Sequence, residues 1–286
     1  MSESVLGHEV CIRLGCFFGI FATMAVWEVI APRRALTVPK AWRWTSNLGI
    51  VALNSGLLRL LFPAAAVGVA VFAQQHGWGL LNYAEVPSWF AVVAGVVALD
   101  LAIYLQHVMF HAVPVLWRLH RMHHADLDFD VTTGARFHPI EIILSMLMKF
   151  GTIAALGPPA LAVIVFEVLL NATSMFNHSN VRVPLGLDRL LRLVVVTPDM
   201  HRVHHSIEDE ETNSNFGFNL PWWDRLLGTY RDQPRAGHTA MTIGIRGFRD
   251  ERRADRLPGM LLLPFMGNVT DYAINRRIWT GDKASR

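Results

Sequence analysis

Residues 120–124 read HRMHH and residues 201–205 read HRVHH, so one spacing of three histidines occurs twice. A further pair, His107 and His111, lies shortly before the first of these motifs. On a helix, residues at i, i+3 and i+4 share one face, so each group would present its imidazoles together. The three groups predict helical segments that converge on one histidine-lined centre.

The rest of the chain is strongly apolar. Of its 286 residues, 52% are hydrophobic and only 17% are charged, whereas an average soluble domain has about 25% charged residues. This composition favours a membrane protein. The only cysteines are Cys11 and Cys16, which are too few for a cysteine-based iron–sulfur or zinc site. Any bound metal must therefore be held by nitrogen or oxygen.

Five apolar segments approach the roughly 20 residues that a membrane helix needs. They are Leu14 to Ala31, Leu48 to Phe72, Trp89 to Gln106, Ile142 to Leu156 and Ala160 to Phe176. The second is interrupted by the polar residues Asn54 and Arg59, and the fourth contains Lys149. The GPP sequence at 157–159 predicts a tight hairpin between the last two. We therefore predict an all-α protein whose multi-pass membrane helices carry a cytoplasmic helical cap.

The distribution of charge predicts the orientation of these helices. Loop 32–45 contains four basic residues and no acidic one, whereas loop 74–88 contains no Lys or Arg. By the positive-inside rule the first loop is cytoplasmic, which places both HxxHH motifs on the cytoplasmic side.

We expect a membrane region over 1–99, a catalytic domain over 100–230 and a basic C-terminal cap or tail over 231–286. That tail, with 11 basic against 6 acidic residues, fits anionic lipid better than nucleic acid.

The number of histidines indicates the kind of site. Eight imidazoles are twice the four ligands of a structural zinc site, so they predict two metal ions. Imidazole binds zinc, copper, iron and nickel alike, so the residues alone do not name the metal. Packed together without metal, they would leave buried polar atoms unsatisfied at roughly 1–3 kcal/mol each.

The surroundings of the motifs support the same centre. Thr197 as N-cap and Pro198 at the first helical position predict a helix that begins just before the last histidine group. His138 and His178 flank the predicted hairpin, so each is expected near the same membrane face as a further ligand or a supporting residue. A substrate that enters from the bilayer would reach the metals between the apolar helices below them, so we expect the third span and the hairpin to line a substrate tunnel.

Together these motifs resemble the fatty acid hydroxylase and sterol desaturase superfamily of integral membrane di-iron enzymes. The resemblance extends to four further stretches: RFHPIE at 136–141, NHSN at 177–180, TPDMHRVHHS at 197–206 and WDRLLGTY at 223–230. It covers roughly residues 100–230. It implies a histidine-ligated di-iron centre between a membrane base and a cytoplasmic cap.

The resemblance also implies the ligands and the chemistry. The implied ligands are His107, His111, His120, His123, His124, His178, His201, His204 and His205. Possible additional ligands or supporting residues are His138, Glu141, Asp199, Asp209 and Asn213. Such enzymes use two iron ions, O2 and two electrons to hydroxylate or desaturate a lipid C–H position. The chain contains no cysteine cluster, GxGxxG motif or haem-binding domain, so a separate ferredoxin, cytochrome or flavoprotein reductase is expected to supply the electrons.

Other functions remain open from the residues alone. A metal transporter would place its ligands on interrupted spans near the bilayer midplane, whereas these histidines fall at span ends. A two-zinc membrane hydrolase would activate water at a similar site, although the motifs contain no carboxylate. A metal-binding relative without catalysis is a third alternative. The sequence does not choose between sterol, acyl chain and other lipids, and hydroxylation is slightly favoured over desaturation.

Overall fold

A computed structural model describes residues 7–84, 86–267 and 274. Within them the chain is helical and forms no strand, although Pro32 and Val181, and Ser206 and Ile243, form isolated bridges. The α-helices are α1 Glu9–Ile30, α2 Lys40–Leu61, α3 Ala65–Gln75, α4 Leu80–Tyr83, α5 Ser88–Ala112, α6 Pro114–His124, α7 Pro139–Leu156, α8 Ala160–Asn177, α9 Leu185–Leu191, α10 Pro198–His204, α11 Asp209–Thr212, α12 Trp222–Leu226, α13 Gly237–Ala240, α14 Glu251–Ala254 and α15 Leu257–Leu262. Short 3₁₀ turns occupy Thr133–Ala135 and Leu263–Phe265.

The predicted all-α architecture is confirmed. Five helical segments are long and apolar enough to cross a membrane: α1, the stretch Lys40–Tyr83 that contains α2 to α4, α5, α7 and α8. Helix α5 has 25 residues and is therefore about 37 Å long, which exceeds the roughly 30 Å of a hydrocarbon core. The smaller helices after α8 form a cap at the end of the bundle where α5 finishes. Part of the predicted basic tail, 268–273 and 275–286, lies outside the described residues.

The second predicted span differs from the structure in where it breaks. Asn54 and Arg59 both lie inside α2, and the Asn54 amide donates to the Phe137 carbonyl at 2.8 Å. The helix ends instead at Leu61, and the next residue, Phe62, precedes Pro63. A residue before proline is disfavoured in the helical region, and Phe62 accordingly has φ −131° and ψ 68°. Helix α3 then resumes at Ala65.

The hairpin predicted at GPP is present between α7 and α8. Gly157 ends α7 with φ +66°, a left-handed conformation that favours glycine. A Cβ at this position would also clash with the Trp78 carbonyl oxygen. The hairpin therefore needs glycine for its backbone conformation and for its close approach to the 78–79 segment.

The cap is attached to the bundle by a buried ionic network. The Arg43 guanidinium, on the first turn of α2, donates to Asp126 at 2.7 Å and to Asp130 at 2.7 Å. Arg136 donates to Asp255 at 3.0 Å, and the Arg43 and Arg136 side chains are fully buried. Breaking such a network by removing one partner typically costs about 3–5 kcal/mol. It holds the loop that follows α6 against α2.

Candidate metal centre

Nine histidines from four helical segments meet where the bundle joins the cap. The C-terminal part of α5 supplies two, α6 supplies three, the residue after α8 supplies one, and α10 with the residue after it supplies three. They are His107, His111, His120, His123, His124, His178, His201, His204 and His205. None is more than 3% exposed. These are the nine residues that the resemblance implied as ligands.

The nine imidazoles divide into two groups. In each group, the candidate ligand atoms lie within 4.8 Å of one another. The five-histidine group comprises His107, His111, His120, His124 and His204. The four-histidine group comprises His123, His178, His201 and His205. Each HxxHH motif is therefore shared between the two groups.

Helix geometry and capping set where the last motif lies. The Thr197 hydroxyl accepts a hydrogen bond from the Met200 amide, and Pro198 occupies the first turn of α10. Both features match the predicted N-terminus. With α10 starting there, His201 and His205 lie one turn apart on one side while His204 points to the other group.

Hydrogen bonds determine which nitrogen of the ring carries the proton in the five-histidine group. The Nδ1 atom of His107 lies 2.8 Å from the Phe216 carbonyl oxygen, and that of His204 lies 2.7 Å from the Ser214 carbonyl oxygen. A carbonyl oxygen only accepts, so both Nδ1 atoms must donate. In the neutral rings Nε2 then carries a lone pair, and the two Nε2 atoms are 3.0 Å apart. Two lone pairs at this distance repel unless a cation lies between them.

The four-histidine group repeats this arrangement. The Nδ1 atom of His178 donates to the Ser174 carbonyl oxygen at 2.8 Å, and that of His123 donates to the Arg136 carbonyl oxygen at 3.2 Å. Their Nε2 atoms face each other at 3.2 Å. Each group therefore contains a pair of opposed acceptors that a bound cation would stabilise.

Burial keeps these rings neutral. Desolvation lowers the pKa of His120 to about 3 and that of His178 to about 3. It also lowers the pKa of His204 and of His205 well below the usual value, and neighbouring imidazoles lower both further. Neutral imidazole is the form that binds metal ions. In His205 both nitrogens are buried and have no hydrogen-bond partner in the described part of the chain.

The spacing of the nitrogens also fits metal ligation. Two nitrogens about 2.1 Å from one metal lie about 3.0 Å apart at a right angle and about 3.4 Å apart at a tetrahedral angle. The Nε2 atoms of His107 and His120 are 3.0 Å apart, those of His111 and His124 are 3.1 Å apart, and those of His178 and His201 are 3.1 Å apart. These separations are those expected of nitrogens that share one metal ion.

Two of the five possible supporting residues contact the histidines. Glu141 Oε1 accepts from His120 Nδ1 at 2.6 Å. Asn213 Oδ1 accepts from His111 Nδ1 at 3.2 Å. Contacts of this kind fix the orientation of a metal-binding ring.

The other three supporting residues lie outside both histidine groups. His138 caps the start of α7 by accepting from the Ile140 amide, and its other nitrogen contacts the Leu261 carbonyl at 3.2 Å. Asp199 pairs with Arg33 and Arg202. The backbone carbonyl of Asp209 accepts from the Asn213 amide at 2.8 Å.

Comparison with known proteins identifies the family. The Fatty acid hydroxylase family model matches residues 92–229. The ornithine lipid hydroxylase OlsE of Rhizobium tropici is 33% identical over 81% of this chain and 70% of its own length. The chain belongs to the fatty acid hydroxylase family. Alkylglycerol monooxygenases of Xenopus tropicalis and Homo sapiens are 29% and 30% identical over 66% and 50% of the chain.

The chain is shorter than several of these relatives. It spans 43% of the Xenopus and 30% of the human alkylglycerol monooxygenase. No solved structure matches the chain.

This member of the fatty acid hydroxylase family has a cavity that begins at the histidines. The cavity has a volume of about 550 Å³ and extends from His107 and His120 into the bundle. Phe110, Phe137 and Phe218 line the part of the cavity next to the histidines. Its walls include α5 and the α7–α8 hairpin, as predicted, and also α1 and α2, which the sequence prediction did not include.

Sequence reasoning also missed the carbonyl oxygens that orient the rings. These belong to Ser174, Phe216, Ser214 and Arg136, whose side chains differ widely. Because any residue supplies a backbone carbonyl, no residue type marks these positions in a sequence.

Proposed function

We propose that this protein is an O2-dependent di-iron oxidoreductase that hydroxylates a C–H position of a membrane lipid. The observation that carries the proposal is the pair of buried imidazole groups, with opposed lone pairs, at the end of a cavity inside the membrane helices. The histidines are buried, and the cavity would let a lipid reach them from the bilayer. The five-histidine and four-histidine groups would each hold one metal ion.

Iron fits these groups better than zinc. The five-histidine group offers one more ligand than a four-coordinate structural zinc site uses. The two-zinc hydrolase is therefore less well supported. Transport is less well supported too, because the histidines lie at helix ends and in the cap rather than within interrupted spans.

Two iron ions would supply the reductive activation of O2. The balanced reaction takes one C–H bond, O2, two electrons and two protons to a C–OH group and water. The protein contributes neutral imidazoles whose Nδ1 protons are held by carbonyl oxygens, so Nε2 stays available to metal. Phe110, Phe137 and Phe218 exclude water from the reacting carbon.

Hydroxylation is proposed over desaturation because the similar proteins are named as a hydroxylase and as monooxygenases. The substrate is proposed to be a sterol, an acyl chain or a related lipid that enters from the bilayer. Electrons are proposed to come from a separate ferredoxin, cytochrome or flavoprotein reductase. The cap with its histidines is proposed to face the cytoplasm, because loop 32–45 beside it carries four basic residues and no acidic one.

Metal analysis of the full chain purified in mild detergent tests this proposal. We expect about two irons per chain, and loss of iron in His204→Ala. His76→Ala is the matched control, because His76 is exposed and lies outside both groups. Lipids from cells supplied with ¹⁸O2 should gain one labelled oxygen only with the unmodified protein and the control. Zinc at the same stoichiometry after iron-replete expression, or no metal, would contradict the di-iron assignment.

A further inference from the structure

Three membrane helices each place a charged side chain at the deep end of the cavity. These are Arg13 on α1, Lys149 on α7 and Glu167 on α8. Lys149 Nζ donates to Glu167 Oε1 at 2.8 Å, and Arg13 Nη2 donates to Oε2 of the same carboxylate. Charged residues within membrane helices are costly, so their presence indicates a functional role.

This cluster offers hydrogen-bond donors beyond its internal ion pairs. Lys149 has three N–H groups and uses one for Glu167, while Arg13 has five and uses one each for Glu167 and Glu9. No other partner of either cation occurs among residues 7–84 and 86–267. The Lys149 side chain is only 11% exposed. Two cations and one carboxylate thus line this end of the cavity. Glu9, which pairs with Arg13, lies outside the lining and balances the charge of the cluster, so the unused N–H groups of Arg13 and Lys149 are what an anion would contact.

The cluster lies at a defined distance from the histidines. Glu141, Ser145 and Lys149 line the cavity at successive turns of α7. Eight residues of helix separate the first from the last, a rise of about 12 Å. Glu141 contacts His120, so the cavity has a metal-binding end and a cationic end. An extended chain of single bonds advances about 1.2 Å per bond, so about ten bonds span the two ends.

The same cavity has a lipid-facing side. Leu14 and Phe18 on α1 are 51% and 62% exposed, and both line it together with the exposed Ser55 on α2. Near the cap, α1 and α2 are joined by the Phe21–Trp44 ring contact. An amphiphile could therefore enter sideways between these helices below that contact.

We propose that Arg13 and Lys149 form a binding site for an anionic group, a carboxylate or a phosphate, of the lipid substrate. Glu167 holds the two cations in place. If the proposed function is correct, the bound anion places at the histidines a carbon about ten bonds away. The site thereby selects lipids that carry an acidic group and sets the position that reacts.

A purely structural ion pair is the alternative. In that case Glu9 would balance Arg13 and Lys149 would balance Glu167, so the four charges would cancel. A structural pair would also need no free donors facing a cavity. The two explanations differ in whether the charges affect ligand binding.

Binding of four amphiphiles with the same saturated chain of about twelve carbons, chosen to exceed the ten-bond span, separates these explanations. The probes are dodecanoate, dodecyl phosphate, dodecanol and dodecyltrimethylammonium, measured by calorimetry with the full chain in a non-ionic detergent. We expect the carboxylate or the phosphate to bind at least about tenfold more tightly than the alcohol and the cation. The stronger of the two acids identifies the class of anion. Equal affinity for all four would overturn the proposal.

Variants locate the effect. Lys149→Met should lose the preference for acids, whereas Lys149→Arg should keep it. Lys40→Met is the matched control, because Lys40 pairs with Glu28 of α1 at 3.3 Å outside the cavity lining. If Lys149→Met keeps the acid preference, or if Lys40→Met loses it equally, the site is wrongly assigned. If Lys149→Met misfolds, the test rests on the affinities of the unmodified protein for the four amphiphiles and on whether Lys149→Arg keeps the preference for acids.

The binding experiment needs neither O2 nor electrons. It can therefore fail while the ¹⁸O2 experiment succeeds, or succeed while the oxidoreductase proposal fails. With an active preparation, the distance between acid and hydroxyl in the product gives a further readout. Hydroxylation at scattered positions would contradict a fixed anion site.

Discussion

Replacing Glu141 by glutamine tests whether this carboxylate orients His120 for metal binding. The His120 Nδ1 atom donates to Glu141 at 2.6 Å, and both side chains are buried. A hydrogen bond to a charged group contributes about 1.5–3 kcal/mol, against about 0.5–1.5 kcal/mol for a neutral pair. The substitution should therefore cost about 1.4 kcal/mol, or roughly tenfold in metal affinity. This lies at the lower end of the about 10–100-fold loss typical of such partners.

The metal-free protein should respond in the opposite direction. Glu141 Oε2 is buried without a hydrogen-bond partner among the described residues, so the amide replaces a poorly solvated carboxyl group. Glu141→Gln should therefore unfold at the same temperature as the unmodified metal-free protein, or at a higher one. Competition with a chromogenic chelator measures the affinity, and thermal unfolding in detergent measures the stability.

The control for this experiment is Glu210→Gln, which changes a carboxylate that is 58% exposed on the cap. It should leave metal affinity unchanged. Unchanged affinity in Glu141→Gln would refute the reasoning. So would a lower unfolding temperature without metal, because it would show that the carboxylate stabilises the fold rather than orienting the ring.

Three further predictions concern stability. Metal-free protein should lose stability as pH falls from 6.5 towards 3. In this pH range His120 and His178 take up protons in the unfolded chain, whereas burial keeps their pKa values in the folded protein at about 3. The free energy of unfolding should fall by up to about 1.4 kcal/mol per pH unit for each of these two residues. Thermal unfolding at pH 7 and pH 5.5 measures this, and a flat profile would contradict it. Arg43→Met should lower the free energy of unfolding by about 3–5 kcal/mol, because it leaves two buried carboxylates of the cap without their shared cation. Denaturant unfolding measures this, and a loss below about 1 kcal/mol would indicate an ion pair no stronger than one on the surface. Gly157→Ala should lower the free energy of unfolding by at least about 1 kcal/mol, because alanine is strained at φ +66° and its Cβ clashes with the Trp78 carbonyl. Unchanged stability would contradict this, because it would mean that the hairpin backbone adjusts without strain.

Several features of this protein follow from the sequence by itself. Apolar segments of membrane length specify the helices, because a chain in hydrocarbon must satisfy its own backbone hydrogen bonds. Thr197 and Pro198 specify the start of α10 by local capping, and Gly157 specifies the hairpin. The HxxHH spacing, with the resemblance it carries, singled out the nine histidines that the structure brings together. These are local signals that do not depend on distant residues.

Other features depend on contacts between residues far apart in the chain. In each HxxHH motif the two histidines one turn apart join one group and the third joins the other. Which group each of them joins follows from how α5, α6 and α10 pack. The break at Phe62 arises locally, but Asn54 is accommodated inside α2 only because the Phe137 carbonyl accepts its amide hydrogen. Lys149 and Glu167 are isolated charges in two apolar segments, and Arg13 lies at the edge of a third. Their meeting at one end of the cavity was decided by tertiary structure alone, because only packing of the helices offsets the cost of burying each charge.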